Sequence, residues 1–201
     1  MLFIKAFPTN KFPKLIWKSP SCSGKLSPDR RFIFFERPKD SMKGSPMTVL
    51  EKLAKMLAQD GWPVEELDDP VALRTMFQGE NGKWVCYAHT REDRDQLVFY
   101  SYCPVTVPST NYLAVGEFLH RANFGLILGN FEMDFEQGEI RFRTSLDCEE
   151  VEYTDALIQP LVYANVMMMD VYLPGLMAVA FGSVSPQDAL KEIESEQAKQ
   201  E

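Results

Sequence analysis

Two polar dipeptides, Asn81-Gly82 and Gln137-Gly138, constrain this chain most, because each separates a pair of strand-like runs. Ala72–Gln78 and Lys83–Thr90 flank the first; Leu126–Asp134 and Gly138–Asp147 flank the second. Strands joined so closely must pair antiparallel, since a parallel crossover needs a dozen or more residues. Asn-Gly suits a two-residue hairpin loop, whose central residues both take positive φ. A third run, Gln96–Cys103, follows across the polar segment 91–95, and Pro104 and Pro108 end this part of the sheet.

Helical patterns surround these runs. Thr48 and Glu51 form a capping box, Val49, Leu50, Leu53 and Leu57 repeat at helical spacing, and Gly61 stops the helix. The stretch WPVEELDDP (62–70) reads as a turn-rich connector. Ser109 or Thr110 caps a second helix running to about Asn123, with Leu113, Val115, Phe118, Leu119 and Ala122 on its apolar face. From Thr154 a third helix carries Leu157, Leu161, Ala164, Met168 and Val171 on one face; Pro160 starts or kinks it, and Pro174-Gly175 breaks it. Ser185-Pro186 opens a last, charged helix. The order helix, three strands, helix, two strands, helices predicts an α+β fold, a five-stranded antiparallel sheet with helices on one face.

Residues 161–182 are long and apolar enough to span a bilayer. Asp170 near the middle, Pro174-Gly175 and the missing basic flanks favour a buried core helix instead.

Charge divides the chain in two. Residues 1–46 carry ten basic and three acidic side chains, which leaves 21 − 10 = 11 basic and 29 − 3 = 26 acidic for residues 47–201, a net of −15. Such a body repels nucleic acid and anionic membrane, so neither is an expected partner. Three accounts of the Pro-rich segment 1–46 compete: an organelle-import leader, a basic tail, or translated upstream sequence with Met47 as the true start, the last being favoured. The expected organisation is an irregular extension (1–46), an α+β domain (47–193) and a charged tail (194–201). Cys22, Cys86, Cys103 and Cys148 are widely spaced, with no metal-site pattern; buried reduced thiols and a cytoplasmic location follow, although a Cys86–Cys103 bridge between neighbouring strands is geometrically open.

The stretch NFGLILGNFEMDFEQGEIRFRTSLD, followed by ALIQPLVYANVMMMDVYLPGLMAVAFG and Ser185-Pro186, resembles the YbjN family in its cyanobacterial-type form. The resemblance spans roughly residues 47–193 and is strongest over 123–182. It implies a regulator of sensory transduction, a fold like that of type III secretion chaperones, and a homodimer holding another polypeptide. It implies no catalytic residues.

Few residues point to chemistry. In the second hairpin, a Gln137-Gly138 loop pairs Asp134 with Arg141 and Glu132 with Arg143. Phe131, Met133, Phe135, Ile140, Phe142 and Leu146 then share the apolar face, and the charges are the wet side of a hairpin. His89 and His120 are the only histidines; a Cys103–His120 nucleophile would need a third, orienting group that is not evident. No P-loop, HExxH or calcium-loop pattern occurs, so no cofactor or metal is expected.

Trp84, Tyr87, Tyr100 and Tyr102 suggest a partner or dimer surface on the sheet, with Tyr100 and Tyr102 opposite Phe99. Met167, Met168 and Met169 add a soft, adaptable surface, with one or two of the three facing the core. The leading expectation is a non-enzymatic, chaperone-like module binding a protein segment. The alternative is a small-molecule sensor or enzyme with a pocket between sheet and C-terminal helices.

Overall fold

The computed structural model describes residues 48–68, 71–91, 96–147 and 152–200. The N-terminal segment 1–46 with its short Arg31–Phe35 run, most of the polar 91–95 connection, and Cys22 and Cys148 lie outside the described residues.

Helix α1 (Val49–Gln59) begins at the expected capping box: Glu51 N–H donates to Thr48 Oγ1 (3.2 Å), and Thr48 N–H to the Glu51 carboxylate (2.7 Å). Such a cap is worth about 1 kcal/mol. It ends at Gly61, whose φ of 79° is open to glycine at little cost. Gly61 N–H bonds Ala58 C=O and Trp62 N–H bonds Leu57 C=O, satisfying the last carbonyls. Trp62 is thereby turned into the core against Phe77 and Tyr163.

The sheet has six strands where five were expected, because Val64–Asp68 is a strand (β1). Its side chains are largely solvated on both faces, so the alternation that marks a strand is missing, and only pairing to β2 (Val71–Gln78) reveals it. Next come β3 (Lys83–Arg91) and β4 (Gln96–Tyr102), all antiparallel. A 3-10 turn (Ser109–Asn111) leads into α2 (Tyr112–Gly125) without a side-chain cap. Of α2's expected apolar face, Leu113 is instead 83% exposed. β5 (Asn130–Met133), β6 (Ile140–Asp147), α3 (Asp155–Phe181) and α4 (Pro186–Gln200) complete the chain. The strand order is β1-β2-β3-β4-β6-β5, so β6 inserts between β4 and the edge strand β5. The architecture is α+β.

Helices cover one face of this sheet: α1 lies over β1–β3, α3 over β4 and β6, and α2 over β5. α4 packs on α2 and α3, burying Ala189 and Ile193. It runs as one helix to Gln200.

α3 is continuous through both prolines. Pro174 removes the N–H that would bond the Asp170 carbonyl, and Asn81 Nδ2 supplies a replacement at 3.1 Å. The Asp170 carboxylate accepts the backbone N–H groups of Glu80 and Asn81, both at 2.9 Å. That turn closes by Gly79 N–H to Gly82 C=O, so its central residues are Glu80 and Asn81 rather than Asn81 and Gly82, and Gly82 has no positive φ.

The expected face of α3 is also displaced. Ile158, Val162, Asn165, Met169, Leu173 and Leu176 meet the core, whereas Leu157, Ala164, Met168 and Val171 are only partly covered. The helix is apolar on nearly every side, so spacing alone cannot select its buried face. Asn165, fully buried, donates from Nδ2 to Phe99 C=O on β4 (3.0 Å) and Phe142 C=O on β6 (3.1 Å).

In the second hairpin the pairing is Met133↔Ile140, Glu132↔Arg141 and Phe131↔Phe142. The loop is Asp134–Glu139, because Asp134 Oδ1 captures Glu136 and Gln137 N–H, and Gly138 N–H bonds Asp134 C=O. The register moves by two residues, which preserves the faces. Phe135 leaves the core side and packs on Tyr112 instead.

Candidate functional site

β2, β3, β4 and β6 alternate strictly over their central residues. Trp84, Cys86 and Ala88 on β3, with Leu97, Phe99 and Ser101 on β4, point under the helices and are buried. Tyr87, His89, Val98, Tyr100 and Tyr102 point to the other face and are half-buried, with no helix over them among the described residues.

Register assembles these side chains. Tyr87 faces Tyr100 across β3–β4, and Tyr100 faces Arg143 across β4–β6. Tyr87 meets Tyr102 edge-on at 5.5 Å, His89 meets Tyr100 at 6.0 Å, and Tyr100 lies 6.2 Å from Tyr102. Offset and edge-on contacts of this kind stabilise by about 0.5–1.5 kcal/mol each beyond area burial, so the cluster is preorganised.

Charges border the rings in pairs. Glu132 receives Arg141 Nε on one oxygen (2.7 Å) and Arg143 Nη1 on the other (3.1 Å). Of the expected ion pairs, Glu132–Arg143 is present, while Arg141 takes Glu132 and Asp134 serves the turn. The Arg141 guanidinium sits 4.4 Å over the Tyr100 ring and reaches the Tyr102 hydroxyl at 3.4 Å. Burial works against its charge, but the bonds to Tyr102 and Glu132 outweigh this, and its pKa is raised. On the far side Arg74 pairs with Glu65 of β1 (2.8 Å). Burial, followed by the Arg141 charge, lowers the His89 pKa.

The expected surface residues separate into three places. Tyr87, Tyr100 and Tyr102 come together on the open face. Trp84 does not join them: it is 2% exposed, on the covered face, and its indole donates to Ser101 Oγ (3.0 Å). Met169 is core, Met168 is half-buried, and Met167 is exposed on the side of α3 away from the sheet. Sequence reasoning missed Arg74, His89, Arg141 and Arg143 as part of the site. Carrying the alternation from β3 and β4 onto β2 and β6 would have found them.

Elsewhere the chemistry is quiet. Cys86 and Cys103 are free thiols, pushed up to about 12 and about 11 by burial, and so protonated at neutral pH. His120 is exposed on α2. Among the described residues no three metal-ligating side chains converge. A cleft of about 540 Å³ lies between α1 and the start of α3, lined by Lys52, Lys55, Gln59 and Asp155 among others. It is not the expected pocket between sheet and C-terminal helices.

Fold and site together define an α+β protein with a layer of helices on one side of its sheet and an aromatic, arginine-bordered face on the other. The chain belongs to the YbjN family: residues 50–176 match the family model described as "Putative bacterial sensory transduction regulator". No curated protein and no solved structure matches it.

Proposed function

We propose that this protein is a non-enzymatic, chaperone-like regulatory module that captures a polypeptide segment on the open face of its sheet. Family membership supports the regulatory part. The capture role rests on one observation: Tyr87, His89, Tyr100 and Tyr102 form an ordered ring cluster with no covering element among the described residues. Tyrosines held in place by their neighbours offer large contact area at little entropic cost, as at binding hot spots. The bordering arginines already have carboxylate partners, so the face needs no charged ligand to neutralise it. Along the neighbouring edge, β1 carries Glu65, Glu66 and Asp68, which favours a basic, extended or amphipathic segment.

The test is quantitative capture by the immobilised full chain, followed by titration of the recovered polypeptide. Replacing Tyr100 and Tyr102 together with Ala should weaken binding by roughly 30-fold or more, since hot-spot truncations cost about 2 kcal/mol or more. The melting temperature should fall by several degrees, because the ring contacts are lost with the two tyrosines, while the far-ultraviolet circular dichroism stays that of the folded parent. A recovered partner that binds the double variant as tightly as the parent would sink the proposal. So would loss of an enzymatic activity in His120→Ala with capture unaffected.

A further inference from the structure

Asn81-Gly82 is the one Asn-Gly pair in the chain; Asn10, Asn111, Asn123, Asn130 and Asn165 precede Lys, Tyr, Phe, Phe and Val. An asparagine amide before glycine is chemically labile, because no Cβ shields the following backbone nitrogen from the amide carbon. The pair commonly marks a turn that needs positive φ, but Gly82 has none, and Asn81 is exposed. The glycines of this turn serve α3 instead. A Cβ on Gly79 would overlap the Asp170 carboxylate, and one on Gly82 would stand 2.5 Å from Leu173 Cδ2. The bare backbone that admits α3 also leaves the Gly82 nitrogen unshielded.

Asp170 clamps the turn by three hydrogen bonds. Its carboxylate accepts Glu80 N–H and Asn81 N–H, and its carbonyl accepts Asn81 Nδ2. The last bond ties the amide to α3. Ring closure requires the amide carbon to swing onto the Gly82 nitrogen, so this bond must break first. We propose that Asn81-Gly82 is a site of spontaneous covalent modification guarded by Asp170: when the clamp opens, Asn81 deamidates and the turn is released from α3.

In the step, the Gly82 backbone nitrogen gives up its proton and bonds to the Asn81 amide carbon; the bond to Nδ2 breaks, and ammonia leaves. Water then opens the cyclic imide at either carbonyl, giving aspartate or isoaspartate. Water enters and ammonia departs, with nothing oxidised or reduced. Either product ends the clamp. A carboxylate has no donor for the Asp170 carbonyl, which Pro174 already deprives of its helical N–H. It also sets a second negative charge beside the Asp170 carboxylate. Isoaspartate further adds a methylene to the backbone, which distorts the turn that aims its N–H groups at Asp170. The pair thus keeps a one-way record of how often α3 lets the turn go.

Ageing the full chain in mildly alkaline buffer and mapping its peptides by mass should show conversion at Asn81, as both products, before Asn111, Asn123, Asn130 or Asn165. Asp170→Ala should speed it at least about fivefold, the factor that one hydrogen bond of about 1 kcal/mol is worth. Should the circular dichroism of that variant depart from the parent's, Asp170→Asn, which keeps an acceptor oxygen, should show a smaller rise of the same sign. Asn81→Asp should melt below both the parent and Asn81→Ala, because it adds repulsion to the lost donor. Conversion at one of the other four asparagines first, equal rates in the parent and the Asp170 variants, or an Asn81→Asp chain as stable as the parent each overturns the proposal. Polypeptide capture has no part in these readouts, so the sheet-face proposal stands or falls separately.

Discussion

His89 sits among Tyr87, Tyr100 and Arg141, where burial and then the neighbouring guanidinium lower its pKa. The unfolded chain titrates this ring near 6.5. Between that value and the lowered folded one, the unfolded chain holds the extra proton. The stability due to neutral His89 is therefore complete above about 6.5 and is lost as pH falls through that window. Urea midpoints of the parent should drop between about pH 7 and pH 5.5, and the drop should shrink in His89→Gln; equal pH slopes would refute the assignment. At this scale much was legible: the alternation placed Phe99 inward and Tyr100 and Tyr102 outward, and the buried, reduced Cys86 followed from its strand position. Trp84 was misplaced because size suggested a contact residue, whereas its position in register with Cys86 and Ala88 puts it under the helices.

Among the elements, α3 shows how a side chain far away in sequence can permit a local exception. Pro174 leaves the Asp170 carbonyl without its helical donor, and Asn81 restores one from the β2–β3 turn. Asn81→Ala should cost about 1 kcal/mol in the parent. In a Pro174→Ala background the restored N–H takes that carbonyl, and the cost should fall toward zero. A double-mutant cycle by denaturant melts measures the difference, and strict additivity would show the two groups to be uncoupled. The break expected at Pro174-Gly175 was sound local reasoning overruled by a tertiary contact. β1 was missed for the opposite reason, since its pairing lies in backbone groups and its side chains carry no periodic signal.

At the scale of the whole molecule, the six strands and four helices of the described residues form one core, to which α4 contributes Ala189 and Ile193. A chain ending at residue 184 would lose Ala189 and Ile193 and uncover Phe118 and Gly175. It should lose at least about 3 kcal/mol of stability and bind apolar dyes; an unchanged melting temperature would contradict this role. The last, charged helix was legible from Ser185-Pro186; that its inner stripe is buried was not, because few of its residues are apolar. The class α+β was legible from turn spacing, but the place of β6 was not, since hairpin signals report only neighbours in sequence. That placement has a kinetic consequence. The β1–β4 meander and the β5–β6 hairpin each close through short loops, whereas the β4–β6 ladder joins residues 141 − 102 = 39 to 147 − 96 = 51 positions apart. Its closure carries the largest chain-entropy cost in the sheet and is expected to come late. Asn165, whose amide reaches a carbonyl on each side of that ladder, then acts as a latch across the seam that is costliest to close.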